Sequence, residues 1–290
     1  MTGAPTTVGA GLEVIGQDLQ AGAHRLRVYT CGDASNQAVL FLHGSGPGVS
    51  APSNWAHLMP DFADAYFCVA PDLLGFGDSE HPDPAPAGGM PEYTDLRARS
   101  VLVLLDALGI DKAHFVGNSM GGMITLRVAQ IAPERIDKLI LMGSGGAPIP
   151  PTDDLIKLVT FYDDPSPEAM ADLLVRFVDD PGLFAGRLDE IARTRTALAT
   201  RPDVRRSHLA TFNPQVAPVK YTEEELAAIT HEALVLHGRE DRMIPVRAGY
   251  YLAENLPNAQ LHVLPHAGHW IQIEQAARFT GQAKLFLADA

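Results

Sequence analysis

Six short apolar runs punctuate the chain: Ala38–Leu42 (AVLFL), Tyr66–Ala70 (YFCVA), Ala113–Val116 (AHFV), Leu139–Met142 (LILM), Ala233–Leu236 (ALVL) and Leu261–Leu264 (LHVL). Each is bounded by Gly, Pro or Asp, and each reads as a strand buried on both faces. Between them Leu96–Leu108 and Met120–Ile131 carry helical patterns, the second stopped by Pro133. Strands alternating with helices predict an α/β fold with a mostly parallel sheet covered on both sides. Arg25–Cys31 (RLRVYTC) alternates polar and apolar residues, which predicts one of the early antiparallel edge strands.

The rhythm breaks between Ser144 and about Pro218, where helical patterns run together without a strand. In the best of them Met170, Leu173, Leu174, Phe177 and Val178 fall on one helical face. This predicts a core domain in two parts, residues 1–143 and 219–290, with a helical lid at 144–218 inserted after the sixth core strand. The stretch Ala147–Pro151 (APIPP) is the expected entry linker, and His81–Pro91, with four prolines and two glycines, an exposed loop.

Bulk numbers narrow the function. At 290 residues, 46% apolar and 20% charged, the chain has the composition of a soluble globular enzyme near the upper limit for one core. A formal net charge of -13 gives no basic stripe for nucleic acid or an anionic membrane. An anionic substrate would need a local cation. Met1 to Gly11 lacks a basic segment followed by an apolar one, and no stretch approaches ~20 apolar residues, so a cytoplasmic protein is expected. The two cysteines, Cys31 and Cys68, sit in strand-like runs without metal spacing and read as buried thiols. No metal site is expected.

Three segments carry chemistry, each after a predicted strand: Gly117-Asn118-Ser119-Met120-Gly121, Gly238-Arg239-Glu240-Asp241-Arg242 and Gly268-His269-Trp270. Ser, Asp and His in that chain order match the α/β-hydrolases, in which a serine on a tight strand-to-helix turn is activated by a histidine held by a carboxylate. A serine hydroxyl is a weak nucleophile unless a base takes its proton. His269 is favoured as that base because Gly268 frees its backbone and an aromatic follows, with His266 the rival that spacing alone does not exclude. Asp241 competes with Glu240 and with Asp72, which reads better as a loop-ordering residue. After the third core strand comes His43-Gly44-Ser45-Gly46-Pro47-Gly48. The backbone N–H groups of Ser45 and Met120 are the expected oxyanion donors.

With these motifs in place the chain resembles the meta-cleavage product hydrolases of aromatic catabolism, from about Gly22 to the C-terminus, most densely in HGSGPG, GNSMGG, GREDR and GHW. Asn118 stands where many esterases have His. The resemblance implies an eight-stranded α/β-hydrolase sheet and a serine-type reaction that breaks a carbon–carbon bond in a 2-hydroxy-6-oxo-hexa-2,4-dienoate. The products would be a 2-hydroxypenta-2,4-dienoate and a carboxylic acid, formed without metal or organic cofactor. It implies Ser119, Asp241 and His269 as the triad, and Ser45, Gly46, Asn54, Asn118 and Trp270 around the dienoate half.

A lid arginine that pairs with the substrate carboxylate is implied too. The spacing in DEIARTR, leading to Arg201-Pro202, makes Arg195 the best match, with Arg187 and Arg193 as rivals. Asp180–Asp189 is longer than the family pattern, and Gly182 stands where a serine is often found. Ile156, Val159, Phe177, Met243 and Ile244 resemble the wall of the acyl pocket. The lid entry Ser144–Pro148 and the IQIEQ run imply a preference for 6-alkyl over 6-phenyl substrates. A homo-oligomer, dimer or larger, is expected. Two other readings use the same motifs: a carboxylesterase for small esters, and a hydrolase-fold ligand receptor.

Overall fold

In the computed structural model, which describes residues 13–288, eight strands form one sheet: β1 (Ile15–Ala21), β2 (His24–Cys31), β3 (Ala38–Leu42), β4 (Phe67–Pro71), β5 (Ala113–Asn118), β6 (Ile136–Met142), β7 (Ala233–Gly238) and β8 (Ala259–Leu264). The reading of Met1 to Gly11 lies outside the described residues. The spatial order is β1-β2-β4-β3-β5-β6-β7-β8. β2 runs antiparallel to both β1 and β4, and every pairing from β4 through β8 is parallel.

The central strands are uninterrupted apolar runs because both sheet faces are covered. Side chains alternate between the faces with the two-residue period of a strand. Leu40 and Leu42 of β3, with Phe115 of β5 and Val235 of β7, belong to one core. Val39 and Phe41, with Val116, Leu234 and Leu236, belong to the core on the other face. Cys31 and Cys68 lie directly opposite each other across β2 and β4, both buried and not joined in a disulfide.

Between β6 and β7 the described chain is helical or irregular, with helices at Asp153–Val159, Pro167–Val175, Leu188–Ala199, Pro202–Thr211 and Glu223–Ala227. Met170, Leu173, Leu174, Phe177 and Val178 are all buried in a third cluster, which also takes in Met243 and Trp270 from the sheet side. The helix carrying the stripe ends at Val175 with Arg176 as its cap, so Phe177 and Val178 extend the apolar face into the following turn.

Two expectations shift. The helix predicted over Leu96–Leu108 begins already at Gly89. Pro91 falls in its first turn, where a missing N–H costs no hydrogen bond. The loop before it is not wholly exposed, since His81 is buried with Nδ1 3.0 Å from Ser207 Oγ. Among the described residues no helix is long and apolar enough to cross a membrane.

Candidate active site

Ser119 occupies the turn between β5 and the helix Met120–Ile131, with φ 55° and ψ -112°. That backbone is strained for a residue with a side chain. The neighbours show why the turn needs glycine: a Cβ on Gly117 would lie 2.5 Å from the Gly121 oxygen, and one on Gly121 2.2 Å from the Leu42 oxygen. The Ser119 N–H donates to Met142 O at 2.9 Å, which ties the turn to the end of β6.

Asp241 follows β7 and is buried. Its Oδ1 accepts the N–H groups of Met243 and Ile244, both at 2.9 Å, and its Oδ2 is 2.7 Å from His269 Nδ1. The carboxylate therefore holds the imidazole by Nδ1–H and leaves Nε2 free to exchange a proton. Burial alone would raise the Asp241 pKa, but His269 and His237 beside it outweigh that and hold it at about 2. Gly143, at the end of β6, passes so close that a Cβ there would meet His269 Nδ1 at 3.1 Å and Asp241 Oδ2 at 3.2 Å.

The rivals have other work. His266 is exposed at φ 56°. Glu240 pairs with Arg239 and accepts the Ala267 N–H. Asp72 accepts the N–H of Ala51 at 2.6 Å and of Asp78 at 2.9 Å, bridging two loops, and its burial raises its pKa to about 6.

Ser45 lies on the loop after β3, and Met120 opens the helix after Ser119. His43 fixes the first of these loops. The Leu73 N–H donates to His43 Nε2 at 2.9 Å, so the ring's hydrogen is on Nδ1, which donates to Gly44 O at 2.7 Å. Burial, reinforced by the charges of Arg97 and Arg195, lowers the His43 pKa to about 3 and keeps the ring neutral.

A polar group lies beside this loop. Asn118 Nδ2 donates to Met142 O at 3.2 Å, with Oδ1 packed against Gly44. Asn54 is buried, and its Oδ1 has no partner among the described residues. Arg195 donates from Nε to Pro47 O at 3.0 Å, lies 5.6 Å from the Trp270 ring centre, and approaches Gly46 with Nη2. Burial lowers its pKa to about 10. Among the described residues no carboxylate pairs with it. The rival Arg187 is exposed and paired with Glu190, and Arg193 is exposed.

A cavity of about 400 Å³ is lined by Ser119, Ser45 and Met120 among others. Ile156, Val159, Met243 and Ile244 line it. Phe177, expected in the same wall, does not. Its ring instead stacks on Trp270 at 4.5 Å and lies 5.7 Å from the His269 ring. Met123, Leu155 and Phe212 line the cavity too, although the sequence reading had not singled them out.

Comparison with known proteins identifies the family. Residues 37–276 match the model of the alpha/beta hydrolase fold family. The chain is 39% identical over 281 residues, 95% of each protein, to 2-hydroxymuconate semialdehyde hydrolase of Pseudomonas sp. strain CF600. Among solved structures, 2-hydroxy-6-oxo-6-phenylhexa-2,4-dienoate hydrolase of Rhodococcus sp. strain RHA1 superposes with a TM-score of 0.92 at 38% identity, over 96% of this chain and 100% of that one. The meta-cleavage product hydrolase of Pseudomonas fluorescens IP01 gives a TM-score of 0.85 at 33% identity, over 94% of this chain and 97% of that one. The chain belongs to the meta-cleavage product hydrolases.

In this hydrolase one further side chain reaches the acid of the triad. His237, the penultimate residue of β7, is fully buried, with Nε2 2.8 Å from Ile244 O and 3.4 Å from Asp241 Oδ2. The available signal was a histidine closing an otherwise apolar strand (ALVLHG) directly before the glycine that precedes the carboxylates.

Proposed function

We propose that this hydrolase cleaves the carbon–carbon bond of a 2-hydroxy-6-oxo-hexa-2,4-dienoate to a 2-hydroxypenta-2,4-dienoate and a carboxylic acid. The observation that carries the reading is Arg195, a guanidinium drawn into the protein with no carboxylate partner among the described residues. Leaving a half-buried, largely desolvated cation without a counter-ion costs free energy, and its planar fork suits a substrate carboxylate. Gly46 and Trp270 lie against Arg195, Asn118 packs beside Gly44 next to Ser119, and none of these residues nor Asn54 lines the mostly apolar cavity at Ser119. A substrate with an anionic, oxygen-rich end and an apolar acyl end fits that division. The reading takes residues 144–218 as the lid over a core of 1–143 and 219–290.

In the proposed sequence the dienol first becomes its 2-oxo tautomer, with a proton delivered to C5. Arg195 holds the carboxylate, and the asparagine side chains hold the 2-oxygen. Ser119, or a water it orients, adds to the 6-oxo carbon as His269 Nε2 takes the proton. The Ser45 and Met120 N–H groups receive the oxyanion. When the C5–C6 bond breaks, its electron pair delocalises onto the 2-oxo group, so the leaving carbanion is a dienolate. The proton held by His269 passes to the dienolate, giving the 2-hydroxy product; where Ser119 itself added, a water then hydrolyses the acyl ester to release the acid and restore the serine.

The test is turnover of the coloured dienoate by purified protein, beside p-nitrophenyl acetate. The reading expects dienoate hydrolysis with the higher kcat/KM. Turnover of the ester with none of the dienoate would make the protein a carboxylesterase, and turnover of neither would favour a ligand receptor.

A further inference from the structure

Arg97 lies in the middle of the helix Gly89–Ala107 with no measurable exposure, and among the described residues no carboxylate pairs with it. Its guanidinium is sandwiched between Phe76, 4.7 Å from the ring centre, and Tyr93, at 4.4 Å. All three of its nitrogens donate, and each bond goes to a neutral group in a different segment. Nε donates to Leu74 O at 2.9 Å, Nη1 to Met120 Sδ at 3.3 Å, and Nη2 to Thr211 Oγ1 at 2.9 Å. Such a group is held at a large desolvation cost, which core packing alone does not require.

The three acceptors lead to one place. Met120 supplies one expected oxyanion N–H, and the sulfur bond fixes the side chain of that residue at the first position of its helix. Leu74 follows Leu73, whose N–H fixes His43 Nε2, and His43 Nδ1 in turn holds Gly44 O, directly before Ser45. Thr211 closes the lid helix Pro202–Thr211 and lines the cavity. We propose that Arg97 is a positioning residue of the oxyanion hole: it aligns both N–H donors with each other and with the lid, and supplies an unpaired positive charge behind them. The negative charge that forms on the carbonyl oxygen in the transition state is then the anion this buried cation lacks in the free protein. The effect follows from any substrate that forms an oxyanion, so it does not depend on the dienoate reading.

Two variants test this on both the dienoate and p-nitrophenyl acetate. Removing a direct oxyanion donor typically costs about 10²–10³ in kcat. Arg97→Met, which keeps the aliphatic stem without charge or donors, is expected to lower kcat roughly 30-fold or more on both substrates with KM within about threefold. Arg97→Lys, which restores charge alone, should recover part of that loss. Met120→Leu conserves volume and folds irrespective of residue 97. It removes only the sulfur acceptor, and is expected to lower kcat about fivefold with KM unchanged. Unchanged kcat in a folded Arg97→Met, or wild-type turnover by Met120→Leu where Arg97→Met fails to fold, would overturn the proposal. A defect confined to the KM of the dienoate would also overturn it, because Arg97 would then be a counter-ion for the substrate. If wild-type protein turns over only the ester, the dienoate reading fails while the ester kinetics still decide the role of Arg97.

Discussion

The carbonyl of Phe177 accepts the backbone N–H of His269 at 2.7 Å. A residue of the helical segment thus sets the height of the imidazole over the nucleophile turn, and the stacked Phe177 and Trp270 rings brace the same backbone. Phe177→Ala is expected to lower both kcat and the melting temperature, with a stability loss of about 3 kcal/mol or more for a buried aromatic. Phe177→Leu should lie between it and wild type. A melting curve beside initial rates checks the ranking, and normal kcat in the alanine variant would separate His269 placement from the ring.

Ser119→Ala removes one oxygen from a turn whose shape is imposed by Gly117 and Gly121. It is expected to keep the wild-type melting temperature and the capacity to bind dienoate, while turnover falls roughly 10⁴-fold or more, as when other triad nucleophiles are lost. Calorimetric titration with the dienoate and single-turnover rates measure the two separately. Parallel loss of folding, binding and rate would make Ser119 a structural residue.

Asp241→Asn is expected to leave the geometry intact and lower kcat about 10⁴-fold, because an amide NH₂ facing the ring favours the tautomer with hydrogen on Nε2. The substitution also has a pH signature. Asp241 has a folded pKa of about 2, below its ordinary 3.8. Its ionised form therefore stabilises the fold above pH ~4, and that contribution disappears as pH falls toward 2. Wild type should lose roughly 2 kcal/mol more than Asp241→Asn between pH 5 and 2. Parallel denaturant midpoints over that range would contradict the assignment.

Arg195→Gln is expected to raise KM strongly for dienoates and hardly touch a neutral activated ester, since only the former offers a carboxylate. Truncating one member of a buried charge pair costs ~2–5 kcal/mol. Arg187→Gln, an exposed side chain paired with Glu190, should behave as wild type. The opposite pattern would move the anion site to the start of the lid helix.

From the volume of the cavity we propose the opposite of the 6-alkyl preference that the resemblance implies. That volume of about 400 Å³, walled by Leu155, Ile156, Phe212 and Met243, leaves a methyl group largely unpacked. A 6-phenyl dienoate is expected to show a kcat/KM at least tenfold above the 6-methyl compound, a difference of ~1.4 kcal/mol in transition-state binding. A 6-methyl substrate that matches or exceeds 6-phenyl would show that the acyl group does not fill this space.

The buried strands β3 to β7 and the elbow at Ser119 were legible because continuous apolar runs and fixed glycine spacings are local properties. β1 was not. It pairs only with β2 at the sheet edge, and residues such as the exposed Ile15 give it no clean alternation. The choice among the lid arginines was half-legible: Arg195 shares a helical face with Ala192 and Ala199, both buried. Phe177 misled because its place in an apolar stripe says that it is buried, not which group it covers. His43 and Arg97 take partners from distant segments, Leu73 for the one and Leu74, Met120 and Thr211 for the other, which their local sequence does not name; the partners of His237, Asp241 and Ile244, are close in the chain, and only the turn after β7 folds them back onto it.

β6 and β7 are paired neighbours, Met142 beside Leu236. The strands are parallel, so the chain leaves the sheet after Met142 and re-enters at Ala233, which lies beside Leu139, three residues back and so roughly 10 Å along the strand plus one strand spacing sideways. Everything between is, to the sheet, one long loop whose ends are held a fixed short distance apart by the pairing of β6 with β7. Closure entropy grows only logarithmically with loop length, so doubling such an excursion costs about 0.6 kcal/mol. The length of the segment over Ser119 is thus nearly free to drift, provided the few backbone positions that meet the sheet, such as the carbonyl at 177, keep their register.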